Sequence, residues 1–395
     1  MDSRDKAFTT ELVYGSLRQL GRNDYIASKF SSRDWREVDP GIVDVIRLGA
    51  YQLFDMRVPD HAAVDATVNL ARKVIGESKA SFVNALMRKL ASQSLSEHLA
   101  EVTDDSVESL SIRFSHPEWI INSYRDSISD LDELKALLLA NNTPVSPTLV
   151  AWPGKSTQED LITLGAEPTK YSKFGAKYSG IPNELALIKE RRAGVQDEGS
   201  QLLASIFAEV AKDREPWLDL CAGPGGKAAL LSHLASGHLL ANEISPIRAD
   251  LIKKVVRAGT EVLVGDGREI SVKANAILAD VPCTGLGALR RRPEIRWRRA
   301  PSDLPSLTTL QYQLAARAIE ILPVDGVFAY ATCSPHIAET SAQCVTFEKK
   351  FPIEKIDVAP YLPNNLAGAT QNGYMQLWPH RHETDAMFLA LYRKR

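Results

Sequence analysis

The stretch Trp217-Leu-Asp-Leu-Cys221-Ala-Gly-Pro-Gly-Gly-Lys227 decides the fold. It opens as a short apolar run and passes into a turn whose glycines let backbone amides approach a ligand at the start of a helix. Outward from it, similar apolar runs recur at Leu239–Asn242, Glu261–Val264, Ala276–Ala279, Val327–Ala331 and Met387–Tyr392, with helical stretches between them. That alternation predicts an α/β domain over 191–395, a mostly parallel sheet with helices on both faces. Asp219 lies within the first run, and Glu243, Asp266, Asp280 and Thr332-Cys333 stand at or just past the ends of four later ones. In open α/β sheets ligands bind outside the carboxyl ends of the strands, so these residues are expected to converge on one crevice.

Upstream the pattern differs. Val43, Ile46, Ala50, Leu53 and Phe54 recur at helical spacing, as do Phe82, Leu86 and Leu90, which predicts an all-α domain over 1–100. The polar run Ser92 to Ser109 reads as a linker out of it, and 101–190 as a small α+β connecting subdomain, with Leu131 to Leu139 helical and Pro144-Val-Ser-Pro147 breaking the helix.

Composition sets outer bounds. With 395 residues, 44% apolar and 24% charged, the chain has the profile of a globular protein of two or three domains. The purely apolar run Ala136 to Ala140, like every other in the chain, falls far below the roughly 20 residues of a membrane span. The start Met-Asp-Ser-Arg-Asp-Lys carries no apolar h-region, so a cytoplasmic protein is expected. Cys221, Cys283, Cys333 and Cys344 are too far apart for a metal knuckle and read as reduced thiols. His380, His382, Glu383 and Asp385 hint at a metal site, but a polar turn before the last strand explains them equally well, and no metal is expected. The net charge of −2 does not itself suggest nucleic acid. Its distribution does: six arginines lie between Arg290 and Arg299, around Trp297 and opposed only by Glu294. Cation plus aromatic is the combination that grips phosphates and stacks bases, so Arg290, Arg291, Arg292, Arg296, Trp297 and Arg298 are expected to contact RNA.

Glu243 follows the glycine turn by about 20 positions, where nucleoside-binding α/β proteins place a carboxylate on the ribose. The turn fits a dinucleotide as well as S-adenosylmethionine, and Asp266 in Gly265-Asp-Gly-Arg268 adds weight to an adenosine pocket. Asp280-Val-Pro-Cys-Thr-Gly-Leu-Gly287 and Tyr330-Ala-Thr-Cys-Ser-Pro335 each put a cysteine just past a strand end. One such cysteine is more often a small buried hydrophobe. Two at equivalent sheet ends, one with a carboxylate three residues before it, point to chemistry. Cys221 and Cys344 read as structural thiols.

These segments resemble the RsmB/Sun-type bacterial 5-methylcytosine methyltransferases of 16S ribosomal RNA over nearly the whole chain. The resemblance rests on Asp219 to Lys227, Asp280-Val-Pro-Cys283, Tyr330-Ala-Thr-Cys-Ser334, Val195-Gln-Asp-Glu-Gly-Ser-Gln201 and the Arg-Arg-Pro-Glu-Ile-Arg-Trp segment. Residues 1–90 resemble a NusB-type RNA-binding domain through Glu11-Leu-Val-Tyr-Gly15, Arg47-Leu-Gly-Ala-Tyr-Gln-Leu53 and Ser81-Phe-Val-Asn84. The resemblance implies a Rossmann-like class I methyltransferase domain behind a NusB-like one. It implies S-adenosylmethionine contacts from Cys221, Ala222, Gly223, Pro224, Gly225, Gly226, Lys227, Glu243, Arg248, Asp266 and Asp280. Cys333 would be the nucleophile, with Cys283 assisting release and Asp280 at the ring edge.

The implied substrate is an unpaired or flipped cytosine in ribosomal RNA, taken by a monomeric enzyme. The chain departs from the family at Ala228, where threonine is common, at Thr284, where serine is, and at Asp385-Ala-Met-Phe388, where Asp-Gly-Phe-Phe is usual. The family usually has a helix ahead of where this sequence starts, which predicts a shortened NusB-like domain. A nicotinamide-dependent oxidoreductase would share the sheet but leave the two cysteines unexplained. An exocyclic-amine methyltransferase would need no cysteine, and a non-catalytic NusB-like scaffold would account for residues 1–90 alone.

Overall fold

In the computed structural model, residues 3–395 are described. They divide into two units, one running to Thr143 and including Arg292–Arg298, the other comprising Pro144–Arg291 and Arg299–Arg395.

The first unit is helical: α1 (Ser3–Arg18), α2 (Leu20–Ser28), α3 (Pro40–Phe54), α4 (Asp60–Ile75), α5 (Glu77–Leu90), α6 (Val107–Phe114), α7 (Glu118–Arg125) and α8 (Leu131–Asn142). Asp39 starts α3 by accepting the Gly41 and Ile42 amides at 3.0 and 3.4 Å, with Pro40 pre-set for the first turn. The periodic Val43, Ile46 and Ala50 pack with Val64 and Val68 of α4 and with Val83, Leu86 and Leu90 of α5.

The helical unit continues past the expected boundary at residue 100. Within the expected linker Ser106 is a helix cap, accepting the Ser109 amide at 3.1 Å, and further on Asp130 caps the next long helix by accepting the Glu133 amide at 2.7 Å. Ser94 and Glu97 form a reciprocal capping box around the short helix Leu95–His98. Leu110, Ile120, Tyr124, Leu134 and Leu138 are buried, so the helices continue to Asn142.

In the second unit a small antiparallel sheet comes first, β1 (Thr148–Ala151), β2 (Glu167–Pro168), β3 (Gly175–Lys177) and β4 (Ala193–Val195), in the order β2-β3-β1-β4. Then α9 (Glu198–Val210) leads to β5 (Trp217–Asp219), α10 (Gly226–Leu234), β6 (Leu239–Glu243), α11 (Pro246–Lys253), β7 (Glu261–Val264), β8 (Ala276–Asp280), α12 (Leu304–Ile321), β9 (Val327–Thr332) and α13 (Ser341–Lys350). The chain closes with β10 (Ile353–Ile356), β11 (Thr370–Gln371), β12 (Tyr374–Gln376) and β13 (Phe388–Lys394).

The large sheet has the order β11-β12-β13-β9-β8-β5-β6-β7, with β10 on β13. Strands β5 to β9 pair in parallel and β10 to β13 antiparallel. Successive side chains of β8 enter different cores, as a period of two requires. Ala276 and Leu278 join Leu203, Phe207 and Leu230 from α9 and α10, whereas Ile277 and Ala279 join Leu314, Ile319 and Phe347 from α12 and α13. Helices therefore cover both faces. Because β6 lies on one side of β5 and β8 on the other, the order reverses at β5, which opens a crevice at the ends of these strands.

Candidate active site

The turn after β5 is built on close backbone approach. A Cβ on Gly223 would lie 2.0 Å from Glu243 Oε2, whose oxygen instead accepts the Gly223 amide at 3.1 Å. Arg248 braces the turn from α11, 3.3 Å from the buried Glu243 carboxylate and donating to the Gly223 carbonyl. Gly225 takes φ +114°, open to glycine at little cost, as N-cap of α10. Asp266 is held by Arg268 Nε at 3.0 Å, and that hydrogen bonding lowers its pKa.

Two pairs stand at the ends of β8 and β9. Lys227 Nζ donates to Asp280 Oδ2 at 2.7 Å, and Cys283 Sγ lies 3.4 Å from Cys333 Sγ. Burial disfavours the Lys227 ammonium, but Asp280 outweighs it and the pKa is raised. Lys227 and Arg291 are both within electrostatic reach of the Cys333 sulfur. The hydrogen bond to Cys333, reinforced by burial, pushes the Cys283 thiol well above its ordinary value. Gly287 fits this arrangement: its amide donates to the Cys333 carbonyl at 2.9 Å, and a Cβ there would come within 2.7 Å of that oxygen and 2.3 Å of the Ala386 carbonyl oxygen. The other cysteines stand apart. Burial raises Cys221, and it pushes Cys344 up to about 12.

Sequence reasoning placed Asp219 among the residues converging on the crevice but gave it no role. It is 1% exposed, and neither carboxylate oxygen has a hydrogen-bond partner of good geometry. Burial, then Asp280, lifts its pKa to about 7 against the pull of Lys227 and a weak interaction with the Cys221 amide. Its place before the glycine turn was visible; its lack of a partner was not. Asp197, in the quoted Val195 to Gln201 segment, was likewise given no role. It accepts the Gly199 and Asp385 amides at 3.0 Å each, and burial with Asp385 nearby raises it to about 6.

The arginine segment is corrected. Arg290 is 5% exposed and donates to the Glu383 carbonyl at 2.9 Å; Arg291 pairs with Asp385, its Nε 3.1 Å from both oxygens. Arg296 is fully buried in the helical unit. It donates to the carbonyls of Arg18, Ser115 and Asn141 at 3.1, 3.2 and 2.7 Å and to Asn142 Oδ1 at 2.6 Å. Trp297 Nε1 donates to the Leu17 carbonyl at 2.7 Å. These four side chains have protein partners that the sequence did not reveal. Arg291 is nevertheless exposed, as are Arg298 and Arg292, the last with its Nε 3.2 Å from Glu294 Oε1.

The polar turn near the C-terminus is also accounted for. His382 accepts the Trp378 amide at 2.8 Å, Asp385 is taken by Arg291, and Lys170 and Lys177 hold Glu383 down to about 2. No group of three or more potential metal ligands occurs among the described residues. None of the described helices is long and apolar enough to cross a membrane.

Known proteins share this architecture. The family model described as 16S rRNA methyltransferase RsmB/F matches residues 207–393, and that of the NusB family matches residues 1–92. A Mycobacterium tuberculosis protein named as a methyltransferase is 40% identical over 406 residues, covering 99% of this chain and 89% of its own. Ribosomal RNA small subunit methyltransferase B of Cronobacter sakazakii is 28% identical, with 99% of this chain and 91% of that one covered. The crystal structure of PH0851 superposes with a TM-score of 0.81 at 21% identity, covering 100% of this chain and 91% of that one, which shows a shared fold.

Proposed function

Because the chain belongs to the RsmB/F family of 16S rRNA methyltransferases, we propose that it methylates carbon 5 of a cytosine in ribosomal RNA, with Cys333 as covalent nucleophile. The observation that carries this reading is the 3.4 Å separation of the Cys283 and Cys333 sulfurs at adjacent strand ends. A methyl transfer to an exocyclic amine would use neither thiol.

The crevice at β5 and β6 fits S-adenosylmethionine: a glycine turn leading into α10, the Glu243 carboxylate at the end of β6, and the orphaned Asp219 carboxylate before the turn. When bound, that cosubstrate supplies an electrophilic methyl group. Glu243 and Asp266 are assigned to the ribose and adenine, and Arg248 holds the turn that receives them.

Carbon 5 of cytosine is too weak a nucleophile to take the methyl group unaided. Addition of the Cys333 thiolate at carbon 6 makes the ring an enamine whose carbon 5 can attack. Lys227 and Arg291 supply positive charge within electrostatic reach of the attacking sulfur. Ring N3 carries a proton from solvent as addition proceeds, so that the enamine is neutral, and Asp280, oriented by Lys227, accepts the hydrogen bond of that N3–H; the proton leaves N3 again after release. For release, water takes the carbon 5 proton and the C–H electron pair becomes the C5–C6 double bond. The C6–S bond breaks as that double bond forms, its electrons return to Cys333, and the Cys283 S–H hydrogen-bonds to the departing sulfur.

Methylating unmodified 16S rRNA in vitro and digesting it to nucleosides tests the proposal. The expected product is 5-methylcytidine; N4-methylcytidine as the product would eliminate the reading.

A further inference from the structure

Next to the thiol pair lies a buried polar network to which the chemistry above gives no role. Glu339, in the short turn Ile337–Glu339 after β9, is fully buried. Its Oε1 accepts the Thr284 amide at 2.8 Å and Gln311 Nε2 at 3.0 Å, and its Oε2 accepts the Thr284 hydroxyl at 2.5 Å. Gln311, on α12, also donates to the Pro282 carbonyl at 2.9 Å. Pro282 and Thr284 flank Cys283, so the residue carrying the thiol is held on both sides. Thr284 Oγ1 further lies 3.1 Å from the hydroxyl of Ser334, the residue after Cys333. Tyr330 fastens the network from β9 by donating to the Glu339 carbonyl at 2.8 Å.

These hydrogen-bond donors to the carboxylate are all neutral. A buried carboxylate held this way carries a desolvation cost that an apolar core of the same volume would not. The groups around Cys283 are Cys333 just past β9, Asp280 from β8, Glu339, and Arg299, whose guanidinium donates to the Cys283 carbonyl at 3.4 Å.

We propose that Glu339 is the positioning residue for Cys283: by clamping Pro282 (through Gln311) and Thr284, it fixes the thiol against the Cys333 sulfur and so sets how fast methylated RNA is released. This rests on the two-cysteine reading above. The negative charge of Glu339 also favours the protonated thiol that release requires. Thr284 serves the clamp as a serine would, since the hydroxyl is the group used.

The test uses the full chain with Glu339→Gln, which keeps the side-chain shape but removes the charge, and with Thr284→Val, which removes only the hydroxyl. Each is treated with iodoacetamide and the labelled peptides are quantified by mass spectrometry. Each is also turned over on unmethylated 16S rRNA, and the share of protein attached to RNA is read on a denaturing gel.

Glu339→Gln should raise the labelling rate of Cys283 by about threefold or more, because thiolate fraction and access control alkylation. Cys344 should keep its rate, the RNA-attached share should rise severalfold, and affinity for S-adenosylmethionine should hold. Thr284→Val should move both readouts the same way by less. Wild-type labelling of Cys283 in both variants overturns the proposal. If Glu339→Gln unfolds, Cys344 becomes reactive as well and Thr284→Val decides. If the two-cysteine reading itself fails, Cys283→Ala releases RNA as wild type does, and the labelling result alone judges Glu339.

Discussion

The segment Arg290–Arg299 and the strand ends around Cys283 and Cys333 are both dense in reactive or charged side chains, yet the fold uses them in opposite ways. In the first, Arg290, Arg291, Arg296 and Trp297 are consumed by protein carbonyls and carboxylates. In the second, two sulfurs lie 3.4 Å apart and an ammonium sits 2.7 Å from a carboxylate. The difference lies in what a position implies. A strand end in a parallel sheet points its residues at one crevice whatever their identity. Charge density has no direction, and a guanidinium with five donors satisfies buried carbonyls as readily as phosphates.

The largest effect that would sharpen this contrast is at Asp219. A carboxyl raised to about 7 favours the protonated form in the folded state. Its contribution is therefore intact below the unfolded value near 3.8 and is lost as pH climbs through about 7. Moving an acid that far costs the folded protein about 4 kcal/mol at pH 8. Asp219→Asn should remove that slope and be the more stable protein at pH 8 in urea unfolding; parallel pH profiles for the two proteins would refute the assignment.

Next is Arg296→Ala, which strips the donors from three buried carbonyls and leaves a cavity. It should destabilise the protein by about 3 kcal/mol. A variant of unchanged stability and weakened RNA binding would restore the reading from charge. The smallest effect concerns the exposed remainder: replacing Arg292 and Arg298 by Gln should lower the log–log salt slope of RNA binding by about 0.7 for each phosphate no longer neutralised. An unaltered slope would make the entire segment structural.

Much of this was legible from the sequence. The runs ending near Glu243, Asp280 and Thr332 are strands, and their ends meet where parallel topology requires. Both cysteine motifs were visible because each joins a strand signal to a nucleophile. The boundary at Thr143 was not, because Ser94 and Ser106 have the composition of a linker and the function of caps. Asp219 was given no role because the loss of its hydrogen-bond partners is a property of its burial. The partners of Arg296 lie 154 to 278 positions away in sequence, beyond any local pattern. Glu339 escaped for a similar reason: Thr284 and Gln311 are 55 and 28 positions from it.

The measurement that bears most directly on the central claim compares Cys333→Ala with Cys283→Ala on unmethylated 16S rRNA, reading methyl transfer and protein–RNA species that survive denaturing electrophoresis. Cys333→Ala should bind RNA and cosubstrate normally, transfer no methyl group and form no adduct. Cys283→Ala should methylate, fail to release and accumulate the adduct, which the further change Cys333→Ala should abolish. An adduct in Cys333→Ala would exchange the two roles. Full methyl transfer by Cys333→Ala, with no adduct in either variant, would contradict covalent catalysis through this residue.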